Sequence, residues 1–189
     1  LKLLKDKILK DGKVINESIL KVDSFLNHQI DGQLMKEIAL EFKRRFENEN
    51  ITKVLTIEAS GIAIAVMTSM AMDVPMLFAK KKVPSTMDTS IYTTKVFSFT
   101  KNIEYDICVA KEFLSPNDKV LVVDDFLANG HAALGLANLV KQSGAELVGI
   151  GIVVEKGFQN GRQLIEEQNI KLESLAIIKD LKNNKINLK

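Results

Sequence analysis

Val120-Leu121-Val122-Val123-Asp124-Asp125-Phe126-Leu127-Ala128-Asn129-Gly130-His131-Ala132 is the stretch on which the reading of this chain turns. Four consecutive apolar, mostly β-branched residues mark a strand buried on both faces, as parallel sheets bury theirs. Two carboxylates then stand where that strand leaves the sheet, which is where open α/β sheets bind ligands. A short loop ending in Asn129-Gly130 leads into an Ala/Leu-rich helix from about Ala132 to Ser143. Its free N–H groups point back at the loop and suit an anion. Acids beside an anion cradle suit a ligand that carries hydroxyls or a metal next to a phosphate. A ribose phosphate meets both conditions.

The neighbouring segments repeat this arrangement. Lys53 to Ile57 reads as a second core strand, followed by Glu58-Ala59-Ser60-Gly61 and an apolar helix from Ile62 to about Met72. Two small-residue loops at the carboxyl ends of neighbouring strands can hold two phosphate groups of one ligand. Pro75 to Ala79 is a third strand, and the triple lysine Lys80-Lys81-Lys82 follows it on the same presumed ligand side. Glu146 to Val154 is a further core strand that ends in Glu155-Lys156-Gly157-Phe158. Lys156 there either donates to an exocyclic carbonyl or snorkels to solvent. Phe158 either stacks on a flat base or plugs the core. Met67, Met70 and Met72 read as core filler.

Further out, Leu1 to Lys10 carries Leu4 and Ile8 on one stripe with Gly12 as a stop, an amphipathic helix. Ile19 to Asp31 fits neither the helical nor the strand period, and irregular stretches of this kind often line sites. Leu20 and Phe25 can supply apolar walls and Asn27 an amide that donates and accepts, or Asn27 simply caps a turn. Asp31 caps a helix whose Leu34, Ile38, Phe42 and Phe46 recur every three to four residues. Val83 to Ser90 is polar and aperiodic and leads into a hairpin, Ile91 to Thr100 and Glu104 to Ala110, turning at Lys101-Asn102. A loop mounted on a hairpin beside a phosphate site is a candidate lid. Gln163 to Glu167 forms a short helix, and Leu172 to Ile178 pairs with Lys185 to Leu188 around Asn183-Asn184.

Composition bounds the classes of function. With 189 residues, 46% of them hydrophobic, one domain spanning 1–189 is expected. Twenty-six basic against 24 acidic side chains leave a net charge of +2, too balanced for a general nucleic-acid surface, so any anion site is local. The single cysteine, Cys108, excludes an internal disulfide or a cysteine-based zinc cluster and reads as a core thiol. No apolar run approaches the ~20 residues of a membrane span, and Leu1 to Lys10 alternates Lys with Leu too quickly for a signal peptide. A cytoplasmic location is expected.

These residues resemble a known family. Val120 to Ala132 is similar to the phosphoribosyl-diphosphate (PRPP) loop of type I phosphoribosyltransferases. Glu58-Ala59-Ser60-Gly61 resembles the pyrophosphate loop of the adenine branch, and Glu155-Lys156 through Gly161-Arg162 resembles that branch's C-terminal signature. The resemblance to the branch that acts on xanthine is closer and runs nearly the whole chain, through residues 20–31, 124–130 and 154–159.

It implies an α/β fold: a mainly parallel twisted sheet with helices on both faces, a hairpin-borne lid at about Val83 to Thr94, and a small hood from the two termini. It implies transfer of 5-phosphoribosyl from PRPP to N9 of xanthine in purine salvage, with Mg²⁺ carried on PRPP and pyrophosphate, in a homodimer. Asp124 and Asp125 would then serve the ribose and the reacting centre, and Ala128, Asn129, Gly130, His131 and Ala132 the 5-phosphate. Ala59, Ser60, Gly61, Lys80 and Lys81 would take pyrophosphate, and Leu20, Asn27 and Lys156 the purine. Ala128 stands where hypoxanthine-guanine enzymes carry an acid, so no general base is assigned. Two alternatives stay open: salvage of guanine or hypoxanthine, and a non-catalytic regulator that senses PRPP.

Overall fold

The computed structural model describes residues 1–82, 90–98 and 103–189. In chain order it contains α1 (Lys2–Asp11), β1 (Lys13–Ile15), β2 (Ile19–Lys21), a π-helical turn at Asp23–Asn27, α2 (Gly32–Arg45), β3 (Lys53–Ile57), α3 (Gly61–Met72) and β4 (Met76–Ala79). There follow β5 (Ile91–Ser98), β6 (Ile103–Ala110), β7 (Lys119–Leu127), α4 (His131–Ser143), β8 (Glu146–Lys156), α5 (Gly161–Glu166), β9 (Leu172–Asp180) and β10 (Asn187–Leu188). The main sheet runs β10-β9-β8-β7-β3-β4, parallel throughout except for the antiparallel edge strand β10.

Successive side chains of a strand face opposite ways, so β7 feeds two cores. Leu121 and Val123 pack with Ile38 and Phe42 of α2 and Ile64 of α3. Val120 and Val122 pack with Leu136, Leu139 and Val140 of α4. Each of these side chains is fully buried, which is why β7 reads as an unbroken apolar run rather than an alternating one. The expected helices on both faces are present. Asp31 caps α2 by accepting from the Leu34 backbone N–H at 3.1 Å, and Leu34, Ile38, Phe42 and Phe46 are buried as their spacing predicts.

The termini close over one end of the sheet. Leu4 and Ile8 of α1 are buried, the N-terminal ammonium donates to the Leu175 carbonyl at 3.1 Å, and Lys5 Nζ donates to the Lys189 carbonyl at 2.7 Å. β5 and β6 form a separate antiparallel hairpin. Its Val96 and Ile107 enter the α4 core, and Gln142 of α4 donates to the Thr93 carbonyl at 2.9 Å. Cys108 is buried, and its backbone bridges to Lys80 beyond β4. Residues 83–89 of the expected lid, and the turn at Lys101-Asn102, lie outside the described residues.

Three expectations need correction. The acid pair does not follow the strand but belongs to it: β7 continues to Leu127, with Asp124 paired to Ile152 and Phe126 to Val154. Backbone pairing with β8 outweighs the poor strand propensity of aspartate. The stretch from Ile19 is less irregular than its pattern suggests, because Ile19–Lys21 pairs antiparallel with Lys13–Ile15. Met70 is not core filler; it is 70% exposed, on a helix that is apolar on every side.

Candidate active site

Asp124 and Asp125 sit near the carboxyl end of β7, the central strand that carries the phosphate loop, and both are buried. Asp124 Oδ1 accepts from the Asp125 backbone N–H at 3.0 Å, and Asp125 Oδ1 accepts from the Phe126 N–H at 2.9 Å. Burial first, and the adjacent Asp125 second, push the Asp124 carboxyl well above the ordinary aspartate range. Lys81 pulls in the opposite direction, which brings one of the sequence's candidate lysines within electrostatic reach of the acid pair.

The loop expected to take a phosphate follows directly. Gly130 adopts a left-handed conformation at φ +84° and caps α4, with Leu134 N–H donating to its carbonyl at 2.9 Å. A glycine is needed there twice over, because a Cβ on Gly130 would also lie 3.1 Å from the Cα of Gly161. The Gly161 N–H donates to the Ala128 carbonyl at 3.1 Å, so the loop is backed by the start of α5. Residues 128–132 all line a cavity of about 190 Å³ at the N-terminus of α4, walled on the other side by Phe97 and Tyr105 of the hairpin. The His131 ring meets Phe97 edge to face, with centroids 6.3 Å apart. Nothing in the sequence assigned Phe97 or Tyr105 to this cavity; alternation on a hairpin tells which side chains share a face, not what that face meets.

The second loop lies beside the first. Gly61 opens α3 directly against β3 and β7: a Cβ there would overlap Thr56 Oγ1 and approach Asp124 Oδ1 to 3.0 Å. The Glu58–Ala59 peptide is cis. Glu58 Oε1 accepts from the Lys81 N–H at 2.6 Å, tying this loop to the lysines after β4. Lys81 Nζ lies 5.7 Å from the centre of the Tyr105 ring, and Lys80 Nζ 5.9 Å from that of Phe78. Glu58, a loop residue with no role legible in the sequence, organises the lysine segment through that segment's backbone. Ala59 is exposed and Ser60 makes no capping hydrogen bond with its side chain, so the loop offers its backbone.

The three residues expected at the purine come from distant parts of the chain. Asn27 Nδ2 donates to Asp125 Oδ2 at 3.4 Å, while its Oδ1 is buried with no hydrogen-bond partner among the described residues. A buried orphan acceptor is a place where a ligand N–H is wanted. Lys156 Nζ donates to the Ser18 carbonyl at 3.2 Å, just before β2, and burial lowers its pKa. The Leu20 side chain is buried and packs in the core. Asn27 is thereby joined to the acid pair and Lys156 to the strand pair that carries Leu20.

Buried acids near the end of β7, a cavity at the N-terminus of α4 and a second small-residue loop beside it make an α/β protein with the site expected for a ribose phosphate. The chain belongs to the phosphoribosyl transferase domain family, whose model matches residues 21–185. It is 56% identical over 186 residues to a xanthine phosphoribosyltransferase of Clostridium novyi, covering 98% of both chains. It is 55% identical over 190 residues to xanthine phosphoribosyltransferase 2 of Clostridium botulinum, covering both entirely. Among solved structures it resembles adenine phosphoribosyltransferase from Rhodothermus marinus, with a TM-score of 0.77 at 18% identity over 94% of this chain and all of that one. It likewise resembles the Giardia lamblia enzyme complexed with 9-deazaadenine, at 0.77 and 19% over 92% of this chain and 96% of that one. The fold is that of the type I phosphoribosyltransferases.

Proposed function

We propose that the protein, acting as one unit over residues 1–189, transfers the 5-phosphoribosyl group of PRPP to N9 of xanthine, releasing pyrophosphate and xanthosine 5′-monophosphate. The observation that carries this reading is the link from Asn27 to Asp125, which joins a buried, unsatisfied base-side acceptor to the ribose-side acids. The names of relatives more than half identical over nearly the whole chain support the choice of xanthine.

Residues 128–132 take the 5-phosphate on loop and helix N–H groups, and the 59–61 loop with Lys80 and Lys81 takes the pyrophosphate. Cleavage at C1 of the ribose builds positive charge on the sugar. Asp124 and Asp125, buried and fixed by backbone N–H groups, oppose that charge without having to reorganise. Asn27 Oδ1 accepts from a purine N–H, and the Lys156 ammonium faces the oxygen-rich edge of the base.

Magnesium fits this site as a companion of the diphosphate rather than as a resident ion. Mg²⁺ prefers oxygen ligands and is commonly held by one or two carboxylates together with phosphate oxygens. Asp124 and Asp125 are the carboxylates that would help hold it beside the diphosphate. When bound it offsets the charge of the leaving pyrophosphate.

The partner is a second copy of the chain: α3 is apolar all round and leaves Val66 and Met70 exposed, and α2 exposes Leu40. The proposed location is cytoplasmic. Among the described residues no helix is long and apolar enough to cross a membrane. A pyrophosphate-release assay with PRPP, Mg²⁺ and each of xanthine, guanine, hypoxanthine and adenine tests the reaction. Fastest release with xanthine is expected; preference for guanine or hypoxanthine moves the assignment within the salvage class, and no release with any base removes it.

A further inference from the structure

Arg162 has no part in the reaction as described, yet it makes a dense set of polar contacts. Its Nε and Nη2 reach Glu155 Oε1 and Oε2 at 2.9 and 2.6 Å, and Ser174 Oγ donates to the same Oε2 at 2.5 Å. Glu155 is 1% exposed. Burial pushes its carboxyl up, but the hydrogen bonds from Arg162 and Ser174 outweigh that and hold it below the ordinary glutamate range. A buried ion pair is a weak source of net stability, because desolvation cancels much of the attraction; its bidentate geometry nonetheless fixes the groups that carry it.

What this pair fixes is the phosphate loop. Glu155 lies in register with Leu127, the last strand residue before the loop. Arg162 directly follows Gly161, whose N–H holds the Ala128 carbonyl and whose Cα packs against Gly130. There is no slack at this contact: a Cβ on Gly161 would overlap the Ala128 carbonyl and come within 3.0 Å of the Gly130 nitrogen. The pair therefore closes the 155–162 turn like a staple and seats Gly161 against residues 128–130. Lys156 is held separately, on the opposite face of β8, by pairing with Ile178 and by the Ser18 carbonyl.

We propose that Glu155, Arg162 and Ser174 form a positioning cluster for the 5-phosphate loop, setting affinity for PRPP and not for the base. The inference rests on the PRPP reading of that loop. Its test is PRPP binding by calorimetry in Mg²⁺, together with the KM of each substrate, for the wild type, Arg162→Gln, Arg162→Lys and Ser174→Ala. Arg162→Gln is expected to weaken PRPP about tenfold, the scale of one lost charge-assisted contact, and to leave the xanthine KM within about twofold. Arg162→Lys keeps the charge but not the fork, and recovers only part of the loss. Unchanged PRPP binding in Arg162→Gln, or equal losses for both substrates that track a lower melting temperature, would overturn the proposal. Should Arg162→Gln not fold, Ser174→Ala decides: at native melting temperature a PRPP loss of about two- to threefold supports the cluster, and none overturns it. A wild type that binds no PRPP would instead sink the reading of the site itself.

Discussion

Asn27 and Asp125, 98 positions apart in sequence, meet through a side-chain hydrogen bond of 3.4 Å. The carboxylate sets the orientation of the amide, since the reverse orientation would put two oxygens face to face. It leaves Asn27 Oδ1 as the buried acceptor. On the proposed function, choice of base and handling of ribose share this one contact.

Asn27→Asp replaces that contact with two carboxylates in a buried site. Like charges this close repel, and the new carboxyl can approach only by taking up a proton. The expected outcome is a loss in kcat/KM for xanthine of about 10²-fold or more. Asn27→Ala, which removes the acceptor without adding charge, should raise the xanthine KM while PRPP binding stays near the wild-type value. Steady-state kinetics on both substrates check this, and an unchanged xanthine KM in Asn27→Ala would place the base elsewhere.

Asp124→Asn should abolish transfer and stabilise the protein without ligands. The sign follows from its raised pKa: a carboxyl whose folded value exceeds its unfolded value costs nothing at pH below the unfolded value. The cost grows as pH rises toward the folded value and is complete above it. Asparagine keeps the Oδ1 acceptor for the Asp125 N–H and never ionises. Melting curves of both proteins from pH 4 to 8 should show the variant's advantage widening with pH, while a gap that narrows would contradict the assigned shift.

Lys156→Ala should raise the xanthine KM far more than it weakens PRPP; identical kinetics would remove Lys156 from the pocket. Because burial lowers its pKa, the ammonium loses its proton at lower pH than an exposed lysine does. Its share of xanthine binding is therefore full in acid and fades as pH rises through that lowered value. Lys156→Arg, whose guanidinium stays charged, should flatten the alkaline limb of the xanthine KM profile even if it binds more weakly throughout.

Gly61→Ala drives a methyl group into Thr56 Oγ1 and towards Asp124. Overpacking of this kind costs about 1–3 kcal/mol, a fall in melting temperature of roughly 2–12 °C for a chain of this size. The displaced pyrophosphate loop and Asp124 should lower kcat with PRPP at least about tenfold. Differential scanning calorimetry and turnover at saturating PRPP measure the two effects, and a variant with native kcat would exclude close coupling between Gly61 and the acid pair.

Local pattern carried the sheet and the phosphate loop. Val120 to Val123, Lys53 to Ile57 and Asp31 before its amphipathic helix are short-range signals, set by the two- and 3.6-residue periods and by capping chemistry, which act within a few bonds. Gly130 before His131 marked the start of α4 for the same reason. The extension of β7 through Asp124 and Asp125 was not visible, because it depends on pairing with Ile152 and Val154 of another strand. The exposed face of Met70 was not visible either, since composition reports that a side chain is apolar and not what lies opposite it. The bond between Asn27 and Asp125, the seat of Gly161 beneath Gly130 and the walling of the phosphate cavity by Phe97 and Tyr105 each join segments tens of residues apart. No local period encodes such meetings. They arise when the two cores pack and bring the hood, the hairpin and the strand ends to one edge of the sheet.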